Sequence, residues 1–167
     1  MHTIAIIAQK GGTGKTTTAH ATGAGLARRG YKVLLIDADA QGNLTYAVGA
    51  DGKRAGTYEI LTRQTTAADT IQAAPPVDIL TASPSLALAD LTINQAGREY
   101  RMREALQAIA GRYDYCIIDT PPALGILTVN ALTAASTAVI TAQADIFSLQ
   151  AIGALSATIE AIRQHSN

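Results

Sequence analysis

Five short apolar runs of strand length recur along the chain, at residues 3–8, 32–36, 77–81, 113–118 and 137–141. Continuous runs of this kind are typical of parallel strands that are covered on both faces. Two such strands joined by a helix form a βαβ unit, whose crossover is almost always right-handed. The pattern therefore predicts an α/β fold, with a doubly wound, mainly parallel sheet and helices on both faces.

Helical patterning is clearest in three of the segments outside these runs. Residues 16–29 are rich in small side chains, and Gly30 follows as a helix-terminating residue. Residues 98–110 and 148–164 carry apolar side chains at helical spacing, so we expect each of these helices to bury one face. The two stripes are Met102, Leu106, Ile109 and Ala110, and Leu149, Ile152, Leu155, Ile159 and Ile162.

The remaining helical predictions concern shorter or less regular features. The polar stretch after residue 50 predicts only two short helices, near 57–62 and 67–72. Gly23 and Gly25 lower the helical propensity of the first helix, so we expect them to mark close packing on the sheet or on a partner. The three arginines that open the helix at 98–110 are most simply its solvated face, and a nucleic-acid patch is the alternative interpretation.

A glycine-rich stretch, Gln9-Lys10-Gly11-Gly12-Thr13-Gly14-Lys15-Thr16-Thr17, lies between the first predicted strand and the first predicted helix. Strand, glycine-rich turn and helix is the order in which backbone N–H groups wrap a phosphate group. We expect Lys15 to reach the β- and γ-phosphates and Thr16 to offer its hydroxyl to Mg²⁺. The predicted nucleotide-binding residues are Gly11, Gly12, Thr13, Gly14, Lys15, Thr16 and Thr17.

Three acidic residues follow predicted strands. Asp37 and Asp39 come after the second strand, and Asp119 comes after the fourth. Ligands of open parallel sheets bind beyond the carboxyl ends of strands, so these carboxylates are expected at the same edge as the phosphate loop. There they would organise Mg²⁺ and place an attacking water. A turn or helix cap is the alternative role for each acid.

Three motifs carry a resemblance to a known family. The string from Lys10 to Thr17 departs from the strict phosphate-loop pattern and resembles the deviant Walker A motif of ParA/MinD ATPases. The segment Asp37-Ala38-Asp39-Ala40-Gln41-Gly42-Asn43 resembles switch I of the ParA/Soj branch. Residues 119–132 are similar to the Walker B acid and the switch II helix of that branch. Ala40 and Ala144 stand where this family usually has proline.

The resemblance implies a set of roles for the site residues. Lys10 would reach across a dimer interface to the partner's nucleotide, Lys15 would bind phosphate, and Asp39 would position or activate water, so these three are the predicted catalytic residues. The predicted metal site comprises Thr16, Asp37 and Asp119, with both acids acting through water. The implied cofactors are ATP and Mg²⁺.

The resemblance also implies a function. We expect a slowly hydrolysing ATP switch for plasmid or chromosome partitioning or cargo positioning, which forms an ATP-sandwich homodimer, responds to a ParB-like activator and binds non-specific DNA. Its expected location is cytoplasmic, associated with nucleoid or plasmid. Residues 1–167 would form a single ParA-like domain that lacks the family's C-terminal strand and helices, and with them the DNA surface.

Composition bears on the competing functions. Thirteen Lys and Arg balance thirteen Asp and Glu, so any nucleic-acid contact must come from a local patch. No run approaches the length of a membrane span, and a MinD-like membrane positioner would need an amphipathic helix beyond Arg163. The lone Cys116 is expected to be buried, and it argues against an iron–sulfur electron-transfer ATPase. A small-molecule phosphotransferase on the same scaffold is the third alternative.

Overall fold

The computed structural model describes residues 1–166 and, within the last helix, the side chains of residues 152, 153, 155–162 and 164. One sheet of six strands forms the centre of this part of the chain. The strands are β1 (His2–Ile7), β2 (Val33–Asp37), β3 (Gln72–Ala74), β4 (Val77–Leu80), β5 (Tyr115–Asp119) and β6 (Thr137–Ile140).

The strand order is β3-β4-β2-β5-β1-β6. All neighbours are parallel except β3, which pairs antiparallel with β4 at one edge of the sheet. The predicted doubly wound, mainly parallel sheet is therefore confirmed, and all five predicted strands are present. Sequence patterning missed β3, because three residues next to Pro75 and Pro76 are too short a run to show a period.

Eight α-helices occur within residues 1–166. They are α1 (Lys15–Arg28), α2 (Asn43–Ala47), α3 (Thr57–Leu61), α4 (Ala67–Thr70), α5 (Ala89–Thr92), α6 (Arg101–Gln107), α7 (Ile126–Ala134) and α8 (Ile146–Ser166). The predicted helix at 98–110 is divided: 3₁₀ turns at Arg98–Tyr100 and Ala110–Arg112 flank α6. No helix in this described part is both long and apolar enough to cross a bilayer.

Side chains of the central strands alternate between two hydrophobic cores, one on each face of the sheet. Leu34 and Ile36 belong to the core that is completed by residues of α3, α5, α6, α7 and α8. Val33 and Leu35 belong to the opposite core, which α1 and α2 cover. Cys116 in β5 has 0% of its surface exposed, so the prediction that it is buried is confirmed.

The apolar side chains predicted to line one face of α8 belong to the hydrophobic core wherever the structure describes them. Leu155 is buried, and Ile159 and Ile162 pack against the same core. Ile152 is half-buried, whereas the side chain of Leu149 lies outside the described set.

The first helix packs closely on the sheet at one of its two internal glycines. A Cβ placed on Gly23 would lie 2.5 Å from Leu35 Cδ2, whereas a Cβ on Gly25 would meet nothing within 4 Å. The expectation of close packing on the sheet is therefore confirmed for Gly23. For Gly25 the structure places no part of the sheet nearby, and a partner contact there stays a prediction.

Two polar side chains near the start of α6 are buried rather than solvated. Arg101 is 6% exposed, so the interpretation of all three arginines as a solvated face is wrong for this one. Its Nη2 donates to Gln95 Oε1 at 2.9 Å. Asn130 of α7 is 0% exposed; its Oδ1 accepts from Met102 N, and its Nδ2 donates to the carbonyl oxygens of Arg98 and Ile126. Asn130 thus joins the start of α6 to α7.

Candidate nucleotide-binding site

The glycine-rich loop and the three acids lie at one edge of the sheet. β5 pairs with both β1 and β2, and the register sets Asp119 opposite Ile6 on one side and Asp37 on the other. The loop follows β1 and Asp39 follows β2, so both leave the sheet at its carboxyl edge. The Asp119 carbonyl accepts from Ala38 N at 2.9 Å, and this bond continues the β2–β5 pairing beyond the strands.

The loop has the conformation that its glycines allow. Gly12 and Gly14 have positive φ angles of 76° and 86°, where a side chain would be strained. A Cβ on Gly11, Gly12 or Gly14 would meet no heavy atom within 4 Å, so no other part of the described chain packs against these glycines. Thr18 N donates to Gly14 O at 2.8 Å, which starts α1 directly behind the loop. The N-terminal end of α1 is therefore available to an anion.

Lys15 is the cation at this helix end. It is 7% exposed, and the only ion pairs within the described residues are made by Lys10 and Arg63. No described residue forms an ion pair with Lys15, so its positive charge at the helix end is open to an anion. The residues present thus fit a phosphate group, which would supply the missing negative charge.

Thr16 and Asp119 meet beside Lys15. Thr16 Oγ1 donates to Asp119 Oδ2 at 2.7 Å. Burial raises the pKa of Asp119 from 3.8 to about 6, and the Thr16 hydrogen bond and the Lys15 charge oppose this rise. Asp119 Oδ1 is buried and accepts no hydrogen bond from any described residue.

This orphaned oxygen fits a hydrated Mg²⁺ ion. Protein sites for Mg²⁺ at nucleotides typically use one or two carboxylates, with waters and phosphate oxygens completing the shell. No cluster of three or more His, Cys, Asp or Glu side chains that could hold a metal by itself occurs among the described residues. Thr16 and Asp119 are the groups that would hold the ion together with a nucleotide.

Asp37 is fully buried and anchors the segment that follows β2. Its Oδ2 accepts from the backbone N and the Oγ1 of Thr45, both at 2.8 Å, and its Oδ1 accepts from Asp39 N at 3.2 Å. Burial raises the pKa of Asp37, and these hydrogen bonds oppose the rise. Thr45 Oγ1 also accepts from Ala82 N at 2.9 Å, which ties the segment to the end of β4. Asp37 therefore has a structural role, and its role in the metal shell stays a prediction.

Asp39 stands at the surface of this anchored segment. It is half-buried, and its Oδ1 accepts from Gln41 N at 3.0 Å. No described residue donates to its Oδ2. One carboxylate oxygen is therefore held by the turn, and the other is available to a water molecule.

Lys10 lies on the opposite side of the loop and is held by the segment after β6. Its Nζ donates to Gln143 Oε1 at 3.1 Å and lies 3.5 Å from Asp145 Oδ2, with 54% of its side chain exposed. Gln143 Nε2 donates to Gly12 O at 3.4 Å, and the hydroxyls of Thr13 and Thr141 are 2.9 Å apart.

Sequence reasoning did not assign Thr141, Gln143 or Asp145 to the site. The signal was nevertheless present, because these residues follow the carboxyl end of a parallel strand, as Asp39 and Asp119 do.

Comparison with known proteins agrees with this geometry. The profile of a protein family described as an AAA domain matches residues 1–167. The sporulation initiation inhibitor protein Soj of Bacillus subtilis (strain 168) is 42% identical over 170 residues, which cover 98% of this chain and 67% of Soj. The chromosome partitioning protein ParA of Caulobacter vibrioides (strain NA1000 / CB15N) is 40% identical over 174 residues, which cover 100% of this chain and 65% of ParA.

A solved structure is also similar over the whole chain. The crystal structure of cobyrinic acid a,c-diamide synthase from Mycobacterium smegmatis, with bound ADP and magnesium, matches with a TM-score of 0.95 at 35% identity, covering 100% of this chain and 70% of that one. The chain thus spans about two thirds of the length of the Soj and ParA relatives. From its sequence and its fold, the chain belongs to the ParA/Soj group of P-loop ATPases within the AAA domain family.

Proposed function

We propose that this chain is an ATP-binding molecular switch that hydrolyses ATP slowly and serves chromosome or plasmid partitioning, or the positioning of other cargo. One observation carries the proposal. Lys15 makes no ion pair with a described residue, and Asp119 has one buried oxygen without a donor while its other oxygen accepts from Thr16 at the end of the glycine loop. A magnesium–nucleotide complex would supply a negative charge for Lys15 and a bound cation with its water for the Asp119 oxygen.

The site residues have separate roles in this proposal. The amides of residues 11–17 and the Lys15 ammonium bind the β- and γ-phosphates, and Thr16 and Asp119 hold Mg²⁺, with Asp37 supporting its water shell. Bound Mg²⁺ neutralises charge that develops on the phosphate oxygens. Asp39 uses its available oxygen to orient the attacking water, and Asp37 keeps Asp39 in place through the backbone of residues 39–45.

The switch requires a second copy of the chain. Lys10 leaves its contacts with Gln143 and Asp145 and reaches the partner's phosphates, so that ATP joins two subunits. The dimer binds non-specific DNA in the cytoplasm, at nucleoid or plasmid, and a ParB-like protein stimulates hydrolysis. Because the chain spans about two thirds of the length of the curated relatives, these steps belong to the proposal and not to what the family membership establishes.

Two substitutions test the nucleotide roles separately. Lys15→Ala is expected to abolish binding of a fluorescent ATP analogue, because it removes the cation that faces the phosphates. Asp39→Ala is expected to keep ATP binding, to lose phosphate release, and to accumulate as a dimer in light scattering. Lys53→Ala, in an exposed turn, is the matched control for loss of a lysine.

The wild-type protein provides the decisive comparison. Dimerisation with ATP and Mg²⁺, and none with ADP, is the expected result in light scattering. Equal masses in ATP and in ADP would contradict the switch.

A second candidate is an ATP-dependent enzyme that acts on a small molecule. The observation in its favour is the structural similarity to a diamide synthase, which extends over the whole of this chain. Turnover that depends on an added acceptor, with phosphate or another group transferred to it, would favour this candidate. Release of ADP and free phosphate without any acceptor would favour the switch.

Co-sedimentation with liposomes in ATP would favour a MinD-like membrane positioner.

A further inference from the structure

The helix that follows β5, α7, begins without a capping group of its own. Gly125 occupies its N-cap position, no side chain at this position caps the helix, and the first turn contains no acidic residue. The first N–H groups of a helix have no partner within the helix, and they carry its partial positive charge. The start of α7 therefore depends on an acceptor from another element.

Asp90 of α5 supplies this acceptor from 36 positions earlier in the chain. Its Oδ1 accepts from Ile126 N at 2.8 Å. A Cβ placed on Gly125 would lie 2.7 Å from Asp90 Oδ2 and 3.1 Å from Oδ1. The carboxylate can approach this closely because position 125 has no side chain, so the glycine and the acid form one contact.

The position of α7 sets the position of the segment that joins β5 to it. Thr120 is 0% exposed, and its Oγ1 donates to Ile6 O at 2.8 Å, which fastens the start of the segment to β1. Thr128 Oγ1 of α7 donates to Ala123 O at 2.6 Å, which fastens the middle of the segment to the helix. Residues 121–124 therefore lie between one anchor on the sheet and another on α7.

Asp90 is itself placed by the segment that follows β4. Ala82 is buried just beyond the end of that strand, and its N donates to Thr45 Oγ1 at 2.9 Å. Thr45 Oγ1 in turn donates to Asp37 Oδ2 at 2.8 Å. Ala89, next to Asp90, is 1% exposed and packs in the core. Asp90 thus connects the start of α7 to the segment that follows β2.

We propose that Asp90 is a positioning residue for the hydrolysis of ATP. It holds α7 so that Asp119 and residues 121–124 stay aligned with the segment that carries Asp39. The inference rests on the proposed function for the reaction itself, and in that function Asp90 contacts neither the phosphates nor the metal. Nucleotide affinity comes from the glycine loop and Lys15, whereas turnover needs both acid-bearing segments in place at once.

Turnover and nucleotide affinity, measured separately, test this role. Asp90→Ala is expected to lower the rate of hydrolysis at saturating ATP by about tenfold, since a misplacement of about 1 Å can cost up to about a hundredfold. Its dissociation constant for a fluorescent ATP analogue should stay within about twofold of wild type, because only the reacting arrangement is disturbed.

A conservative variant and a control complete this measurement. Asp90→Asn keeps an oxygen that can accept from Ile126 N, so it is expected to restore most of the rate. Asp69→Ala is the matched control, because Asp69 is also an exposed acid in the first turn of a helix. The control is expected to hydrolyse ATP at the wild-type rate.

Gly125 provides a second test that needs no ATP. Gly125→Ala places a methyl group against the Asp90 carboxylate and is expected to displace it, so that the midpoint of urea unfolding falls. In the Asp90→Ala background there is no carboxylate to displace, so the same substitution should leave the midpoint unchanged or raise it. Two changes are coupled in this way when they act through one contact. An equal fall in both backgrounds would overturn the inference.

Hydrogen exchange of the Ile126 amide, followed by NMR, measures the contact directly. Asp90→Ala is expected to speed exchange at this amide by about fivefold, because the N–H group loses its acceptor. Asp90→Asn should restore the protection. Exchange that is unchanged in Asp90→Ala would show that Asp90 does not hold the start of α7.

The outcomes separate this inference from the proposed function. A wild type that hydrolyses no ATP contradicts the proposed function, and the unfolding and exchange measurements then decide whether Asp90 holds the segment. A wild type that hydrolyses ATP beside an Asp90→Ala variant of equal rate overturns the inference and leaves the function supported. Parallel losses of rate and nucleotide affinity, or a rate that Asp90→Asn does not restore, would also overturn it.

Discussion

At the scale of single residues, the site is defined by charges that the protein itself does not neutralise. Asp119 is 1% exposed, and burial raises its pKa to about 6 despite the hydrogen bond from Thr16. The position of Asp119 at the carboxyl edge of the sheet could be predicted because it follows a buried strand. Its raised pKa could not, because burial depends on how β1, β2 and β5 pack around it.

The pKa of Asp119 predicts how stability depends on pH in protein free of nucleotide and Mg²⁺. The folded-state pKa of about 6 lies above the ordinary value of 3.8, so between these values the folded chain binds a proton that the unfolded chain does not. The free energy of unfolding is therefore expected to fall as pH rises from about 4 to about 6, by up to about 3 kcal/mol for this residue. Urea denaturation across this range measures it.

The variant Asp119→Asn isolates the contribution of Asp119 to the pH dependence of stability. The amide keeps an oxygen that can accept from Thr16 but carries no charge, so the variant is expected to be more stable than wild type at neutral pH and to lose most of the slope. Asp37, whose pKa burial also raises, accounts for the slope that remains. Glu160→Gln, an exposed change on α8, should follow the wild-type curve. A variant that is less stable than wild type at neutral pH would contradict this account.

At the scale of elements, the hydrophobic pattern predicted which strands and main helices form. How these elements pack on one another depends on tertiary contacts that the pattern does not show. The two glycines of α1 look equivalent in the sequence, yet only Gly23 lies against the sheet. Asn130 is a polar residue on a helix, yet it is completely buried between α6 and α7. Neither difference can be predicted from hydrophobic periodicity, because each depends on contacts with a residue distant in the chain.

The glycines of α1 predict opposite effects of the same substitution. Gly23→Ala would place a methyl group 2.5 Å from Leu35 Cδ2 in a closed core, and overpacking of this kind costs about 1–3 kcal/mol. Alanine also gains about 1 kcal/mol of helix propensity, so a net loss of about 1 kcal/mol is expected. Gly25→Ala has open space and should stabilise the protein by about 0.5–1 kcal/mol. Chemical denaturation of both variants checks the pair, and equal stabilisation would show that α1 is not tightly packed at Gly23.

Asn130 predicts a large cost of truncation for a residue outside the proposed chemistry. Asn130→Ala leaves Met102 N and the carbonyl oxygens of Arg98 and Ile126 without this partner. Buried polar groups left unsatisfied cost about 1–3 kcal/mol each, so a loss of about 3 kcal/mol is expected. Asn43→Ala, at an exposed position of α2, should change stability by less than about 0.5 kcal/mol. Similar unfolding midpoints for the two variants would rule out the α6–α7 link.

At the scale of the whole molecule, the position of the site at one sheet edge could be predicted because parallel strands share a carboxyl end. Four of the predicted site residues, Lys15, Thr16, Asp37 and Asp119, are brought together there by the register of β1, β5 and β2. What could not be predicted is the contact between Lys10 and the segment after β6. That contact joins residues more than a hundred positions apart.

The contact between Lys10 and the segment after β6 is expected to compete with formation of the ATP-bound dimer. Lys10 cannot hold Asp145 and a partner's phosphates at once, and an exposed ion pair is worth up to about 1 kcal/mol. Asp145→Asn is therefore expected to lower the ATP concentration for half-maximal dimerisation by up to about fivefold. Light scattering across an ATP titration measures this, with Glu160→Gln as the control. An unchanged or higher ATP requirement would mean that the contact does not restrain assembly.

Cys116 gives the protein an internal reporter that needs no engineering. The thiol sits on β5, which is flanked on both sides by other strands, and burial raises its pKa above the ordinary value. Thiol reagents attack the ionised form, so labelling at this position must wait until the helices that cover this face of the sheet move away. The rate of labelling with an aromatic disulfide therefore reports the opening of this helix-covered core, and a tightly bound ligand that suppresses the opening will slow the labelling.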